Sequence, residues 1–326
     1  SDEMDERKEC KMKTAFILPS RIIFNFPKVS QSNRVIREFG SDYFLRVKFL
    51  DENLNQIFPS EQTEPLFDRI RQYLNGFECA GRRAQFLAMS NSQIKEAGCY
   101  FYCREKESET NAGFIRKWLG VFEDKNVGKY SARLGQSFSS SIETIEFKLT
   151  EMIQIRDLIV NGYNFTDGIG KISSIKAKEV AQEYGLEFVP SAFQIRIAGY
   201  KGVVAVDPTI IEKTESLQLR GSMRKFQSNY FKLDILNYSK YSEGFLNHEV
   251  IQILEFYGIK FDVFEKHQDK MINQMIEELL SPDLFLELIK IKLGHFNFFE
   301  NNETTGKDKI EYIYEPFFRD VAINIQ

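Results

Sequence analysis

Two lysines that stand close to glycines are the residues whose chemistry the sequence raises first. Lys201 lies in the stretch QIRIAGYKGVVAVDP at residues 194–208, and Lys171 ends the stretch DGIGK at residues 167–171. Glycine lets another backbone or a phosphate chain approach closely, and the lysine ammonium is a compact charge suited to phosphate oxygens. Two such lysines in one β-rich section predict that both point into a single cleft that binds phosphate.

Each lysine also has an ordinary interpretation as an exposed residue in a β-turn. The pattern predicts strands at residues 194–198 and 203–206, with Gly-Tyr-Lys-Gly as the turn between them and Lys201 at its tip. Such a turn needs glycine but does not need lysine. Residues 167–171 lack the G-x-x-x-x-G-K-[ST] spacing, which argues against a nucleotide-binding P-loop. At the level of the local sequence, binding and an ordinary turn both stay open.

Basic, amide and hydroxyl side chains are enriched in and around the same section. They occur in three stretches, and the residues concerned are Arg34, Arg37, Arg46, Lys48, Lys129, Arg133, Gln136, Ser139, Arg220, Arg224 and Lys225. Side chains of these types line a phosphate backbone well. Each stretch taken alone is more typical of a solvated surface, so only their clustering favours an anion-binding role.

Composition and charge exclude several classes of protein. The chain has 326 residues, 43% hydrophobic content and a net charge of −4, which indicates one to three folded domains and argues against a general nucleic-acid coat. The first residues are charged, and no run approaches the ~18 apolar residues of a membrane span. We therefore expect no signal peptide, no membrane association, and a cytoplasmic or nuclear location.

The four cysteines do not predict a disulfide scaffold. Cys99 and Cys103 are spaced as half a zinc site, but the sequence holds no second pair, and its three histidines lie far along the chain. The alternative is two reduced thiols that share one face of a strand. Hydrolase motifs such as G-x-S-x-G and H-E-x-x-H are missing, and no D-x-D sequence occurs in the chain.

Changes in the pattern of apolar and polar residues along the sequence predict an α+β fold in four parts. These are a charged tail (residues 1–12), a mixed α/β region (13–130), a β-rich section (131–235) and a mainly helical region (236–326). One helix at residues 175–184 interrupts the β-rich section, and the residues expected to face a core are Ile175, Ala177, Val180 and Ala181. Many short strands without a regular βαβ repeat favour a compact barrel over a doubly wound sheet.

Seven stretches, taken in order and at similar spacing, resemble the cellular, eukaryotic-type RNA-dependent RNA polymerases of RNA silencing. They are NRVIREFGSDYFLRVKFLDE (33–52), FLAMSNSQIKEAGCYFYCRE (86–105), KYSARLGQSFSSS (129–141), FTDGIGKIS (165–173), PSAFQIRIAGYKGVVAVDP (190–208), LQLRGSMRKF (217–226) and EPFFRD (315–320). The resemblance covers roughly residues 30–326. Seven collinear motifs are much more specific than any single turn.

This resemblance implies an RNA-directed RNA polymerase whose core is built from two double-psi β-barrels. Residues 131–235 would form the first barrel, after a slab-like region at residues 13–130. Lys171 and Lys201 match the positions of two barrel lysines that act as catalytic residues. Contacts to RNA or nucleotide are expected from nine further residues, namely Lys129, Arg133, Gln136, Ser139, Asp167, Arg196, Arg220, Arg224 and Lys225.

The resemblance also implies a cofactor and partners. The family binds Mg²⁺ through a D-x-D-G-D run on the second barrel, downstream of the stretch similar to EPFFRD, and the sequence reaches Gln326 without such a run. We therefore expect no metal ligands in this chain and no complete polymerase reaction from it alone. The expected partners are an RNA template, nucleoside triphosphates, a second barrel in the rest of the protein or in another chain, and RNA-silencing proteins.

Two other interpretations stay open. The chain would be a non-catalytic RNA-binding or scaffold protein derived from the family, needing a second chain for catalysis. Alternatively, it would be an unrelated α+β protein that matches the motifs by chance.

Overall fold

The computed structural model describes residues 5, 7–58, 60, 63–104, 108–210, 215–242, 244–293 and 314–323. They belong to two compact units, residues 1–241 and residues 242–326. The first unit combines helices with mixed sheets, and the described part of the second unit is helical. The predicted α+β class is therefore confirmed.

The first unit begins with a six-stranded mixed sheet. Its strands are β1 (Glu9–Ile17), β2 (Ile22–Gln31), β3 (Phe44–Phe49), β4 (Phe77–Cys79), β5 (Arg82–Ala88) and β6 (Gly98–Arg104). They lie in the order β2-β1-β3-β6-β5-β4, and β1 runs parallel to β3. The two central strands, β3 and β6, carry buried apolar side chains on both faces, as expected of a sheet that is covered on both sides.

Helices provide this cover. They are α1 (Arg34–Phe39), α2 (Glu64–Leu74), α3 (Asn91–Lys95), α4 (Ala112–Leu119) and α5 (Val127–Gly135). On one face, Val35 of α1, Ile115 of α4 and Leu134 of α5 join a core with Phe44. On the other face, Ile70 and Tyr73 of α2 pack against the core that contains Val47.

A second, seven-stranded sheet completes the first unit. Its strands are β7 (Ile142–Glu146), β8 (Met152–Ile155), β11 (Ile169–Ser173), β12 (Ala192–Ile197), β13 (Tyr200–Asp207), β14 (Leu217–Arg220) and β15 (Lys232–Tyr238), and the short pair β9 (Ile159–Val160) and β10 (Tyr163–Asn164) stands beside them. The order is β7-β15-β12-β13-β11-β14-β8. Helix α6 (Ser174–Tyr184) follows β11, which pairs in parallel with β13.

The two-residue period of a strand separates a core face of this sheet from a charged face. Ile172, Ile195 and Val204 are buried in the core against α6, while their neighbours Lys171 and Arg196 point to the opposite face. Burying each such aliphatic side chain stabilises the fold by roughly 1.5–3 kcal/mol. A slip of one residue would exchange the two faces, so the core fixes the direction of the charged side chains.

Two details of the first unit differ from the sequence-based expectations. The predicted tail at residues 1–12 overlaps β1, in which Cys10 and Met12 are buried. Helix α6 is confirmed, but Ile175 is 47% exposed instead of facing the core. It lies five residues before the buried Val180, which is about 140° around the helix at roughly 100° per residue.

The second unit contains four described helices, in agreement with the predicted helical character of this region. They are α7 (His248–Phe256), α8 (Phe261–Leu280), α9 (Pro282–Leu293) and α10 (Pro316–Ile323). Proline suits the first position of α9, where no backbone N–H is needed. None of the helices in the described residues is long and apolar enough to cross a membrane. The boundaries expected at residues 130 and 235 stay predictions.

Candidate functional site

Lys201 lies at the start of a strand and not at the tip of a turn. The turn between β12 and β13 consists of Ala198 and Gly199, with φ values of 46° and 81°, and Lys201 pairs with Arg196 across the two strands. Positive φ at both central residues is typical of the type I′ turn, whose twist matches that of the strands. The predicted four-residue turn is therefore wrong, because strand pairing continues up to a two-residue turn.

Gly199 fixes this turn against the chain that follows β14, and its replacement is expected to be costly. An added Cβ would lie 2.1 Å from the carbonyl oxygen of Phe226, at a φ of +81°. We expect Gly199→Ala to lower the free energy of unfolding by about 3 kcal/mol. Urea denaturation measures this loss of stability.

The control for Gly199→Ala is Gly185→Ala. Gly185 has a φ of +89° but no atom within 4 Å of an added Cβ, so its replacement should cost only about 1 kcal/mol. Equal losses of stability for Gly199→Ala and Gly185→Ala would contradict the close contact between Gly199 and the backbone of Phe226.

Lys201 is held among other cations. Burial lowers its pKa, and the charges of Arg196 and Lys225 lower the pKa further. Within the part of the chain that the structure describes, no carboxylate pairs with Lys201. A partly buried ammonium near other cations is unfavourable until an anion compensates it. The position of Lys201 is therefore suited to an anionic ligand.

Arg196 is the cross-strand neighbour of Lys201 and is only 7% exposed. Its Nη1 donates a hydrogen bond to the carbonyl oxygen of Ile195 at 2.8 Å, and its Nε has no partner in the part of the chain that the structure describes. Burial, followed by the nearby charge of Arg34, lowers the pKa of Arg196 to about 10. Arg196 and Lys201 thus place two adjacent cations on the charged face of the second sheet.

These two cations form one wall of a cleft of about 350 Å³, termed the first cleft. The lining side chains are mainly cations, hydroxyls and amides, and comprise Arg46, Ser90, Ser92, Gln93, Tyr100, Ala132, Gly135, Gln136, Phe138, Ser139, Ser140, Arg196 and Lys201. No aspartate or glutamate occurs among these thirteen described residues. Such a lining favours a phosphate-bearing ligand over a cation or an apolar molecule.

Local sequence features explain how the other walls of the first cleft form. An added Cβ at Gly135 would lie 2.3 Å from the carbonyl oxygen of Met89, so only glycine lets the end of α5 approach the loop after β5 this closely. Ser90 and Gln93 form a reciprocal capping box at the start of α3. Gln136 then follows α5 directly and faces the same cleft as this capping box.

Two further cavities adjoin the turn. The second cleft, of about 400 Å³, is lined by Arg133, Arg224 and Lys225, and the third, of about 300 Å³, shares Arg224 with it. The backbone N–H of Lys225 donates to the carbonyl oxygen of Gly199 at 3.0 Å. Arg133 forms an ion pair with Asp124. The second cleft thus carries three basic side chains beside Glu123, while the third is lined mainly by apolar and uncharged polar side chains.

A buried ion-pair network connects this face to α1. Nε of Arg34 lies 3.0 Å from Oδ2 of Asp234, Arg37 binds Oδ1 of the same carboxylate, and Asp234 is 1% exposed. The guanidinium of Arg34 also stacks over the ring of Tyr230 at 4.5 Å. Because Asp234 pairs with Arg196 in the sheet register, the network fixes the charged face of the second sheet to α1.

The structure does not confirm that Lys171 and Lys201 share one cleft. Lys171 lies in the middle of β11, and its Nζ is 2.7 Å from Oδ2 of Asp207. Hydrogen bonds from Lys171 and Thr209 hold the pKa of Asp207 well below its ordinary value. Lys171 is the register partner of Ala205, which is about 13 Å along β13 from Lys201 at ~3.3 Å per residue. Both lysines lie on the charged face, but the charge of Lys171 is already balanced.

The other candidates from the sequence divide into two groups. Gln136, Ser139 and Arg196 line the first cleft, and Arg133, Arg224 and Lys225 line the second. Lys129 and Asp167 are exposed and line none of the three cavities, and Arg220 donates to the backbone carbonyl of Ile169 at 2.7 Å. For Arg220 the contact indicates a role in holding the start of β11.

Several residues that line the first cleft, and the buried Asp234, were not predicted from the sequence. Ser90 and Gln93 carried a usable signal, because S-x-x-Q is a capping-box sequence that marks a helix start. Tyr100 and Asp234 carried none, since each reaches its position only through strand pairing. Asp234 in particular is one acidic residue in an apolar strand whose two arginine partners are about 200 positions away.

The cysteines follow the ordinary interpretation. Cys99 and Cys103 lie on β6, pack in the same core and are free thiols. Burial raises the pKa of each to about 12. In the described ranges, no group of three His, Cys, Asp or Glu side chains is arranged to hold a metal ion. The described residues therefore contain no further ligands that would complete a zinc site with Cys99 and Cys103.

Comparisons with known proteins agree with this geometry. The family model described as "RNA dependent RNA polymerase" matches residues 17–326. The chain is 42% identical over 290 residues to "Probable RNA-dependent RNA polymerase 1" of Oryza sativa subsp. japonica, covering 83% of this chain and 38% of that protein. It is also 42% identical over 283 residues to "RNA-dependent RNA polymerase 1" of Arabidopsis thaliana, covering 82% of this chain and 25% of that protein.

A solved structure shares the fold. The chain matches "RNA dependent RNA polymerase QDE-1 from Thielavia terrestris" with a TM-score of 0.72 and 18% identity, over 99% of this chain and 41% of that one. At this identity the match concerns the fold alone. The chain spans between a quarter and about two fifths of the length of these three proteins.

Proposed function

Because the chain belongs to the RNA-dependent RNA polymerase family, we propose that its first unit supplies the cationic part of a nucleotidyl-transfer site. The substrates would be an RNA template and nucleoside triphosphates, and the product would be a complementary RNA strand. The observation that carries the proposal is the environment of Lys201. It lies beside Arg196 in the wall of the first cleft, feels the charge of Lys225, and lacks a carboxylate partner among the described residues.

The role of Lys201 follows from its position on a strand. Negative charge on the phosphate oxygens is redistributed during phosphoryl transfer, and fixed cations stabilise it. β13 is paired on both sides, with β12 and β11, so the backbone of Lys201 is in place before a substrate arrives. Arg196 and Lys225 would bind neighbouring phosphates and lower the cost of bringing several negative charges together.

The residues described by the structure do not fit a Mg²⁺ centre. Mg²⁺ is bound through carboxylates with near-octahedral geometry, and the described ranges contain no suitable acidic cluster. Two carboxylates of the charged sheet face, Asp207 and Asp234, are each paired with cations. We propose that the metal-binding aspartates expected for the family belong to a second barrel, in the rest of the protein or in another chain.

Binding of single-stranded RNA is expected to be strongly salt-dependent. Phosphate contacts release counterions, with a slope of about −0.7 per contact for single strands, so about four contacts predict a slope near −3 in a plot of log K against log salt concentration. Fluorescence anisotropy of a labelled oligouridylate, titrated with the chain at several salt concentrations, measures this slope.

The matched variants for this titration are Lys201→Gln and Lys178→Gln. Lys201→Gln removes one phosphate contact and should make the slope about 0.7 less negative. Lys178 is exposed on α6, so its replacement should leave the slope unchanged. A slope near zero for the unaltered chain would overturn the assignment of the clefts to phosphate binding.

A non-catalytic RNA-binding role would show the same salt dependence. Primer extension with Mg²⁺ and all four nucleotides distinguishes the two functions, since only a polymerase adds nucleotides. The role in RNA silencing, the silencing partners and the cytoplasmic or nuclear location stay predictions.

A further inference from the structure

The first cleft is lined by residues with buried polar atoms that have no hydrogen-bond partner among the described residues. These atoms are Nε2 of Gln93, Oε1 of Gln136 and Nε of Arg196. Gln93 is 2% exposed and Arg196 is 7% exposed. A buried polar group without a partner costs about 1–3 kcal/mol. Three such groups around one cavity indicate that a ligand with both donors and acceptors completes them.

The orientation of Gln93 is set by the protein. Its Oε1 accepts the backbone N–H of Ser90 at 2.9 Å, which leaves the Nε2 donor unused. Gln136 is different, because its backbone is fixed at the end of α5 while its side-chain oxygen has no hydrogen-bond donor in the described ranges. Turning this side chain toward a ligand breaks no hydrogen bond of Oε1. The first cleft therefore offers donors from Gln93 and the cations, and an amide acceptor from Gln136.

An amide acceptor among cations requires a ligand that carries a hydrogen-bond donor as well as negative charge. Phosphate oxygens accept hydrogen bonds from Arg46, Arg196 and Lys201, but they cannot donate one to Gln136. A ribose hydroxyl donates and accepts, and the 2′-hydroxyl is the group that distinguishes RNA from DNA. Ser139 adds a hydroxyl that serves either role.

Recognition of a base by stacking is not what this cleft offers. Its two aromatic side chains, Tyr100 and Phe138, are 8% and 4% exposed and stack on each other with ring centroids 5.0 Å apart. Their faces are thus largely used within the protein. The ligand is bound through its backbone, independently of base sequence.

We propose that the first cleft binds the ribose–phosphate backbone of an RNA strand and that Gln136 selects RNA over DNA by accepting a hydrogen bond from a ribose 2′-hydroxyl. This proposal rests on the proposed function and deepens it. The cations provide affinity for any nucleic acid strand, and Gln136 provides the preference for ribose.

The test compares two fluorescein-labelled strands of about 12 nucleotides, a length within the range of known single-strand sites. One is oligouridylate and the other is oligo(2′-deoxyuridylate), so only the 2′-hydroxyls differ. We expect the unaltered chain to bind the RNA roughly tenfold more tightly, as one or two hydrogen bonds would give. Gln136→Leu should reduce this ratio to near one by weakening RNA binding while DNA binding is retained.

Three further variants support the comparison. Gln182→Leu, on the exposed side of α6, should leave the ratio unchanged. Ser139→Ala makes a smaller change and should lower the ratio about twofold to threefold, which keeps the proposal testable if Gln136→Leu does not fold. Lys201→Gln should weaken the binding of both strands and leave the ratio of RNA affinity to DNA affinity unchanged. The fluorescence of Trp118, the one tryptophan of the chain, reports folding in every case.

The outcomes separate this proposal from the one on which it rests. Equal binding of RNA and DNA by the unaltered chain would overturn ribose selection and leave the cationic site intact. A preference for RNA that persists in folded Gln136→Leu and Ser139→Ala would overturn the assignment to the first cleft. Binding of neither strand at low salt would overturn the proposed function together with this inference.

Discussion

Replacing Lys201 with methionine is expected to lower nucleotide addition about 100- to 1,000-fold, the range found when one fixed electrostatic contact to a transition state is removed. The measurement is primer extension by a polymerase that contains this chain. The folded state should be as stable as before or slightly more stable. Burial and the charges of Arg196 and Lys225 lower the pKa of Lys201, so its ionised form opposes folding.

The sign of this stability effect follows from proton linkage. The folded state binds the proton of Lys201 less tightly than the unfolded state, so the unfolded state holds more protons between the lowered pKa and the ordinary value of 10.5. The contribution of Lys201 to stability therefore rises with pH across this window. Methionine has a similar length and no charge, and should show no such rise. A loss of activity with retained stability is typical of a functional residue.

Lys171→Met is the matched control for Lys201→Met. Lys171 is on the same sheet face but is paired with Asp207 at 2.7 Å, so it contributes less uncompensated positive charge. We expect its replacement to reduce nucleotide addition by less than about tenfold, because Asp207 already compensates the charge of Lys171. Activity of Lys201→Met within a few-fold of the unaltered protein, or a larger loss for Lys171→Met, would contradict the role given to Lys201.

The parts of the fold that the sequence predicts well are those with a local signal. Helix α6 and the helical character of residues 236–326 follow from apolar spacing, and the structure has helices in both places. The turn before Lys201 was predicted wrongly because glycines at 199 and 202 suggested a four-residue turn. Gly202 instead lies inside β13, where an added Cβ would come within 2.1 Å of the carbonyl oxygen of Gly168. A glycine needed for close packing and a glycine needed for a turn look the same in the sequence.

The candidate site was predictable by residue type and less so by position. Lys201, Gln136 and Ser139 were identified from their chemistry and Arg196 from the family resemblance, and all four line the first cleft. Whether a basic residue is free or neutralised depends on tertiary contacts that the local sequence does not contain. Arg34 and Arg37 illustrate this limit, because they occur in a basic stretch but are bound to a buried carboxylate.

Replacing that carboxylate is expected to have the largest effect on stability. Asp234→Ala should lower the free energy of unfolding by about 3–5 kcal/mol, since it leaves two buried guanidinium groups without their shared anion. For a domain of this size the midpoint of thermal unfolding falls ~2–4 °C per kcal/mol, so a shift of roughly 10 °C is expected. Trp118 lies edge-on to Tyr230 at 5.7 Å, and its fluorescence therefore follows the part of the first unit that contains this network.

The control for this substitution is Asp42→Asn, which removes an ion pair of similar length but high exposure. Oδ1 of Asp42 lies 3.0 Å from Nζ of Lys13, and the aspartate side chain is 83% exposed. Water and salt screen such a pair, so its loss should leave the midpoint nearly unchanged. Equal shifts for Asp42→Asn and Asp234→Ala would contradict the burial of the Asp234 network.

A triple variant separates the cost of unpaired charge from the cost of a cavity. If charge dominates, changing Arg34 and Arg37 to methionine together with Asp234→Leu should recover more than half of the stability lost in Asp234→Ala, since apolar side chains of similar volume often replace a buried ion-pair triad without loss. RNA binding should not recover in parallel, because Asp234 is the register partner of Arg196 and the network connects that strand to α1. Recovery of both properties would mean that the network stabilises the fold but does not position the cations of the first cleft.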